Sequence, residues 1–176
     1  MARKERYSKE EILTKSVEFV REYGIEALTV RELAKYIGCS TQPIFRFYDT
    51  LVDFKKDLNK RLHKEFNDFI KNYVNPDDDY LLTISYAYVL FSKMHSNIFK
   101  ALFISAKYTL SKSSVMEDVI CKQYKISASQ AKIVNRDVGF YVHGLATQIC
   151  YGCIKYNNFE IYDLINNMIG ICLKKN

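Results

Sequence analysis

The chain has 176 residues, 48% hydrophobic and 26% charged, which is enough to bury a substantial core. Its formal net charge of +6 permits DNA binding without establishing it. Only six Gly and two Pro occur and no alternating strand pattern is obvious, so we expect an all-α fold.

The sequence contains no apolar run of about 18 residues and no apolar core of a secretory signal. We therefore expect a cytoplasmic protein without a membrane partner. Five cysteines, an odd number, fit reduced thiols in that compartment. Cys150 and Cys153 are spaced as C-x-x-C, but they fall inside a predicted helix without a second ligand pair, so we expect structural burial rather than a metal.

The first nine residues are mainly basic, with Arg3, Lys4, Arg6 and Lys9 against Glu5. A basic arm suits DNA phosphates or a minor groove, and a disordered solubilising tail fits the same composition equally well.

The segment Ser8-Lys9-Glu10-Glu11 has the pattern of a capping box and predicts a helix that runs to Tyr23 and ends at Gly24. The helical spacing predicts an inward face of Ile12, Ser16, Phe19, Val20 and Tyr23.

A second capping box, Thr29-Val30-Arg31-Glu32, predicts a helix of about two turns. Its apolar stripe is Val30, Leu33, Ala34 and Ile37. Gly38 stands where a left-handed residue ends a helix, and Ser40 is predicted to cap a third helix after the turn Gly38-Cys39-Ser40. Pro43 is tolerated because amides of a first helical turn have no helical acceptor.

In this third helix Ile44 and Tyr48 are predicted to face inward, which turns Thr41, Gln42, Phe45 and Arg46 outward. Gln can pair with adenine, Arg with guanine, and a Thr methyl or an aromatic ring can meet a thymine methyl in the major groove. This pattern favours a DNA-recognition helix over the alternative, a two-helix corner with a solvated polar face.

The segments Leu33-Ala34 through Gly38-Cys39-Ser40 and Ile44-Phe45-Arg46-Phe47-Tyr48 resemble the signature of TetR/AcrR-type transcriptional regulators. The likeness is strong over residues 8 to 58 and only architectural beyond them. It implies a helix-turn-helix DNA-binding domain at 1–50 and a helical ligand-binding and dimerisation domain at 51–176. The implied DNA contacts are Thr29, Ser40, Thr41, Gln42, Phe45, Arg46 and Phe47.

Two positions depart from the family pattern. Phe45 stands where the family usually has a tyrosine that binds phosphate, and Leu51 stands where it usually has a lysine. Lys55, with Lys56 beside it, lies one turn further on and is the expected substitute for the phosphate contact.

A long helix is predicted from Leu51 to Tyr73, and it should link the two domains. Its apolar face extends over about six turns and consists of Leu51, Phe54, Leu58, Leu62, Phe66, Phe69, Ile70 and Tyr73. Asn75-Pro76-Asp77-Asp78-Asp79 then interrupts the chain. The acidic run suggests either a metal site or a helix cap, and we expect the cap.

Further helices are predicted at 80–95, 97–105 and 115–125, with a polar loop at 107–114. Ser127 caps a long eighth helix that runs to about 151, and a last helix spans about 160–173. The two C-terminal helices have strong apolar faces, and the eighth also has the small residues Gly139, Gly144 and Ala146. They look like half of a four-helix bundle completed by a second subunit, as in the family; the alternative is that they only close the monomer core.

A small-molecule pocket is expected from the aromatic character of the predicted body. Its candidate residues are Tyr86, Phe91, His95, Phe99, Phe103, Tyr141 and His143. The competing interpretation is that these side chains are core. No catalytic constellation, cofactor motif or metal-ligand set is recognisable, so we do not expect an enzyme.

The working hypothesis is a homodimeric regulator, a repressor that a small apolar or aromatic effector releases from a palindromic operator in double-stranded DNA. Two alternatives stay open. One is a non-specific DNA-binding protein with a steep salt dependence. The other is a helical small-molecule-binding protein with a vestigial DNA-binding head.

Overall fold

The computed structural model describes residues 7–74, 78–105 and 114–174. Over these ranges the chain forms α-helices and no strand, which confirms the all-α prediction. The helices are α1 (Lys9–Tyr23), α2 (Val30–Ile37), α3 (Gln42–Phe47), α4 (Leu51–Lys71), α5 (Tyr80–Met94), α6 (Ser96–Phe103), α7 (Ser114–Tyr124), α8 (Ala128–Cys150) and α9 (Asn158–Lys174). Within the same ranges, no helix combines the length and apolar character needed to cross a bilayer.

The helices belong to two compact units. Among the described residues, the N-terminal unit comprises 7–67 and 97–105, and the C-terminal unit comprises 68–96 and 114–174. Helix α6 therefore groups with α1 to α3 and most of α4. The functional boundary predicted at residue 50 is a different division and stays a prediction.

Helix α1 begins and ends where its sequence signals predict. The Ser8 hydroxyl accepts from the Glu11 amide at 3.2 Å, and the Glu11 carboxylate accepts from the Ser8 amide at 2.6 Å, which completes the capping box. Gly24 ends the helix with φ +83°. The predicted inward position of Tyr23 is wrong, because its side chain is 53% exposed. The helix ends at this residue, and the ring packs at the surface instead, 5.1 Å from Phe19.

Three ion pairs join α1 to α4: Lys9 to Asp57 at 2.7 Å, Glu10 to Arg61 at 2.7 Å and Arg21 to Glu65 at 2.6 Å. Lys9, assigned to the basic arm, is thus the first residue of a helix and is paired to a carboxylate. The other basic residues of that arm lie outside the described residues. Beneath these pairs α4 buries its apolar face, represented by Phe54, Leu58 and Leu62.

Two further predictions about α4 need correction. Leu51 and Tyr73, placed on its apolar face, are 37% and 38% exposed. Leu51 is the first residue of the helix, and Tyr73 follows its last residue, Lys71. Both side chains therefore lie at or beyond an end of the helix, and Tyr73 packs only partly, with its ring centroid 4.9 Å from that of Phe69.

Helix α6 is fastened to the N-terminal unit near both of its ends. The Asn97 side-chain amide donates to the carbonyls of Arg21 at 3.1 Å and Glu22 at 3.2 Å, in the last turn of α1. Ser105 donates to the Glu26 carboxylate at 2.5 Å. Because the last carbonyls of a helix lack intrahelical partners, Asn97 satisfies groups that would otherwise depend on solvent.

The C-terminal unit is a bundle in which α8 contacts α5, α7 and α9. The capping box that begins α8 is complete, because Ser127 and Gln130 form both of its hydrogen bonds. Asp79 caps α5 by accepting from the Leu82 amide at 2.9 Å, as predicted for the acidic run, while Asp77 lies outside the described residues.

Two loop predictions have different outcomes. Most of the polar loop predicted at 107–114 lies outside the described residues. Cys150 is the last residue of α8, and Cys153 lies beyond the C-cap Tyr151. The prediction that both cysteines lie inside the helix is therefore wrong. The chain leaves the helix at Gly152, which has φ +71°.

Candidate nucleic-acid interface

The turn between α2 and α3 is built by local hydrogen bonds. The Thr29 hydroxyl accepts from the Glu32 amide at 3.1 Å and caps α2, which is half of the predicted capping box. Gly38 adopts the left-handed conformation, with φ 77° and ψ 37°, and the Cys39 amide donates back to the Ala34 carbonyl at 2.9 Å. This closure stops α2 and redirects the chain into α3.

Helix α3 starts one residue later than predicted. Thr41, not Ser40, is its N-cap, and it already has helical dihedrals, φ −72° and ψ −16°. Its carbonyl accepts from the amides of Ile44 at 3.2 Å and Phe45 at 3.3 Å, while no side chain caps the helix. The predicted capping role of Ser40 is therefore wrong, and Ser40 lies exposed at the entrance to the helix.

The two faces of α3 separate as the sequence predicts. Ile44 is 1% exposed and Tyr48, just after the helix, is 4% exposed. On the other face Phe45 is 51% exposed, and Gln42 and Arg46 are exposed as well. An exposed Phe between an amide and a guanidinium gives this short helix both polar and apolar groups for a partner.

Arg46 contacts both Tyr7 and Phe47. Its Nη2 donates to the Tyr7 carbonyl at 3.3 Å, and its guanidinium lies 4.5 Å from the centroid of the Phe47 ring. The Tyr7 hydroxyl in turn donates to the Ile37 carbonyl at 2.9 Å, at the end of α2. Tyr7 thus ties the end of α2 to the exposed face of α3.

Tyr7 is a residue that the sequence reasoning missed. It immediately precedes the Ser8 cap, the position where an apolar side chain typically packs onto the following helix, and this pattern could have drawn attention to it. Its hydrogen bonds to Ile37 and Arg46 join residues far apart in sequence, which no local pattern announces.

The remaining candidates for DNA contact are distributed around this face. The Thr29 hydroxyl is engaged as a cap, and Thr41 and Phe47 are half-buried. Lys55 is exposed on α4, whereas Lys56 lies 3.5 Å from Asp53 on the same helix. Of the two lysines, Lys55 is the better placed to reach a phosphate.

The aromatic residues predicted to line an effector pocket fall in both units. Phe99 and Phe103 belong to the N-terminal unit and are buried, at 0% and 6% exposed. Phe103 packs 5.1 Å from Phe99 and 5.0 Å from Phe66, measured between ring centroids. These are the contacts of a packed core.

The other five candidates belong to the C-terminal unit, where they form separate contacts. The ring of Phe91 lies 5.0 Å from that of His95, and Tyr86 lies 5.6 Å from Tyr162. Tyr141 is half-buried, and burial raises its pKa. The effector pocket stays a prediction.

Two polar pairs inside the C-terminal unit also lay beyond sequence reasoning. The Tyr124 hydroxyl lies 2.7 and 2.6 Å from the two carboxylate oxygens of Asp79. Burial first, and then the Asp79 carboxylate, raise the pKa of Tyr124 well above its usual range. The Tyr88 hydroxyl and His143 Nδ1 are 2.9 Å apart, which joins α5 to α8.

In the part of the chain that the structure describes, no group of three or more His, Cys, Asp or Glu side chains could hold a metal ion. Neither a family model nor a curated protein matches the sequence, so the exposed face of α3 is the principal guide to what the protein does.

Proposed function

We propose that this protein is a sequence-specific DNA-binding transcriptional regulator in which α2 and α3 form a helix-turn-helix and α3 enters the major groove. The observation that carries the proposal is the exposed row Gln42, Phe45 and Arg46 on a helix whose opposite face, at Ile44, is buried. In helix-turn-helix motifs the second helix lies in the major groove, and its exposed side chains contact the base edges.

The chemistry of the row suits base edges. A Gln amide can pair bidentately with adenine, an Arg guanidinium can pair bidentately with guanine, and the Phe45 ring can contact a thymine methyl. The contacts of Arg46 with the Tyr7 carbonyl and the Phe47 ring restrict its guanidinium before DNA arrives, which lowers the entropy lost on binding. Ser40, Thr41 and Lys55 would contact phosphates and set the register.

The regulator would act as a homodimer joined through α8 and α9. These helices expose large apolar side chains, with Phe140 62%, Phe159 77% and Tyr162 42% exposed. A Cβ built at Gly139, Gly144 or Gly170 meets nothing within 4 Å, so a second helix could approach closely there. Two symmetric copies would place two α3 helices on the two halves of a palindromic operator.

Repression and its release would follow from the same arrangement. A small apolar or aromatic effector that prefers one conformation would shift the dimer away from the DNA-binding state, by no more than its difference in affinity for the two states. Helix α4 is the covalent route for such coupling, because its residues are shared between the two units. The protein would act in the cytoplasm.

The direct test is selection of the purified protein against a random duplex library, followed by footprinting and a salt titration on the selected site. A two-fold-symmetric site would support the proposal. No enriched site, with an affinity that falls evenly across sequences as salt rises, would contradict it and favour non-specific DNA binding.

Replacing Arg46 by Ala should weaken binding to the selected site by about 5- to 150-fold and relax the preference at one base pair, because a bidentate pair to a base is lost. Arg21→Ala is the matched control, since it removes the same charge from an exposed site on α1, outside α3 and outside the proposed dimer interface. Equilibrium titration of both variants on matched and mutated sites measures the effect. An equal, uniform loss in both variants would show that Arg46 contributes only general charge.

Replacing Phe159 by Glu should dissociate the dimer, because a charge would be buried in an apolar interface. Sedimentation velocity measures the mass, and Met94→Glu on α5, where the residue is 60% exposed, is the control. If the Phe159 variant has the same mass as the unmodified protein, the proposed interface is wrong.

A further inference from the structure

The N-terminal unit contains an open cleft of about 380 Å³ between α1 and α2. It is lined by Phe19, Tyr23, Ala27, Glu32, Lys35 and Tyr36, and we call it the aromatic cleft. A volume of this size accommodates a small organic molecule. None of its residues belongs to the exposed row of α3.

Three aromatic rings form the walls of the aromatic cleft. The Tyr36 ring stands at 85° to Phe19 and at 81° to Tyr23, with centroid separations of 5.4 and 6.0 Å. Phe19 and Tyr23 are tilted by 44° at 5.1 Å. Tyr36 thus meets the other two rings edge to face, and the three rings form one aromatic cluster that lines the cleft.

The exposure of these rings differs from that of a core cluster. Phe19 is 5% exposed and forms the floor, whereas Tyr23 is 53% exposed and Tyr36 is half-buried. Tyr23 therefore presents an electron-rich ring to solvent at the end of α1. The Glu22 carboxylate beside it raises the pKa of the Tyr23 phenol.

Charged side chains complete the lining. The carboxylate of Glu32 favours a cation in the cleft, and the ammonium of Lys35 opposes one. The aromatic faces attract a cation through their quadrupoles, an interaction that favours poorly hydrated organic ammonium groups over small inorganic ions. Three rings and one carboxylate against one lysine give the cleft a preference for positive charge.

From this lining we infer that the aromatic cleft binds a compact organic cation with a quaternary ammonium head, held by Tyr23 and Tyr36 over the floor of Phe19 and balanced by Glu32. The inference stands on the cleft alone and does not depend on DNA binding.

The test uses choline and its neutral isostere 3,3-dimethylbutan-1-ol as probes, titrated with the full chain and followed by proton NMR of the nine equivalent methyl protons. We expect a saturable upfield shift for choline, produced by the rings, and an affinity about 2- to 30-fold weaker for the alcohol. Equal affinity for the two probes, or no saturable shift for choline, would overturn the inference.

Variants locate the site. Tyr36→Leu should abolish the choline shift, whereas Tyr36→Phe keeps the ring and should retain binding. Glu32→Gln should weaken choline binding and Lys35→Gln should strengthen it, each by about 2-fold because the site is open to solvent. Tyr73→Leu, an exposed aromatic of the C-terminal unit outside α8 and α9, is the matched control and should leave choline binding unchanged. Circular dichroism confirms folding of each variant; a shift that persists in folded Tyr36→Leu would overturn the assignment.

Discussion

The two units of the molecule hold their helices together by different means. In the N-terminal unit, exposed ion pairs such as Lys9–Asp57 and Arg21–Glu65 join α1 to α4. In the C-terminal unit, part-buried hydrogen bonds such as Tyr124–Asp79 and Tyr88–His143 join the helices. Exposed ion pairs contribute little and are screened by salt, whereas a buried hydrogen bond to a charged group is costly to break.

The difference indicates where each unit tolerates change. Polar substitutions on the surface between α1 and α4 should have small effects, and the stability of the N-terminal unit should depend on buried residues such as Ile12, Leu33 and Phe54. In the C-terminal unit, polar as well as apolar side chains should be sensitive, because its tyrosine hydrogen bonds are partly buried.

The largest effect is expected from Phe91→Ala, which should lower the free energy of unfolding by about 3–5 kcal/mol. Phe91 is 1% exposed and packs against Phe69 at 5.3 Å, so truncation removes buried contacts and leaves a cavity. Urea unfolding followed by circular dichroism measures the change. Phe45→Ala is the control, because that ring is 51% exposed on α3 and its loss should be close to neutral.

A loss below about 1 kcal/mol for Phe91→Ala would mean that the ring borders open space rather than packed core. That outcome would support the aromatic pocket predicted within residues 51–176, which includes Phe91, and would reverse this part of the comparison.

The next largest effect is expected from Tyr124→Phe, which should lower the free energy of unfolding by about 1.5–3 kcal/mol, because the Asp79 carboxylate loses a hydrogen-bond donor. Measured by the same urea unfolding, a neutral result would show that solvent replaces the phenol at Asp79.

Tyr124 should also make the stability of the unmodified protein depend on pH. The pKa of Tyr124 is raised in the folded state, so its contribution to the free energy of unfolding is fully present below the ordinary tyrosine pKa of about 10 and is lost as pH rises above that value. The stability of the unmodified protein should therefore fall more steeply above pH ~10 than that of Tyr124→Phe. Parallel curves from urea unfolding at a series of alkaline pH values would contradict this assignment.

The sequence predicts the helices well because their ends are marked by local chemistry. The boxes at Ser8 and Ser127 and the glycines 24 and 38 act within one turn of the chain, so α1, α2 and α8 begin or end within a residue or two of the predicted positions. Ser40 shows the limit: its residue type suits a cap, but Thr41 is the N-cap of α3, with helical dihedrals and without a side-chain hydrogen bond.

The candidate sites were predicted unevenly for a related reason. The outward face of α3 follows from the helical spacing of its residues, which can be read from the sequence alone. The contacts of Arg46 with Tyr7 and of Lys9 with Asp57 join residues far apart in the chain, and no periodicity reveals them. Tyr23 was placed inward by spacing alone, although the helix ends there and its ring forms part of the aromatic cleft.

The smallest effect on stability is expected from Tyr48→Phe, the same substitution as in Tyr124→Phe but in the N-terminal unit. Tyr48 is 4% exposed, and among the described residues no hydrogen bond to its hydroxyl meets the geometric criteria. The Lys9 ammonium lies over the ring, 4.8 Å from its centroid. Tyr48→Phe should therefore leave the free energy of unfolding unchanged or raise it by up to about 1 kcal/mol, since an unsatisfied buried hydroxyl is removed. Thermal and urea unfolding beside Tyr124→Phe make the comparison under identical conditions. If Tyr124→Phe lowers the free energy of unfolding and Tyr48→Phe does not, the Tyr124 hydroxyl contributes a stabilising hydrogen bond and the Tyr48 hydroxyl does not. Equal losses would mean that Tyr48 has a solvent partner and that the units are alike in this respect.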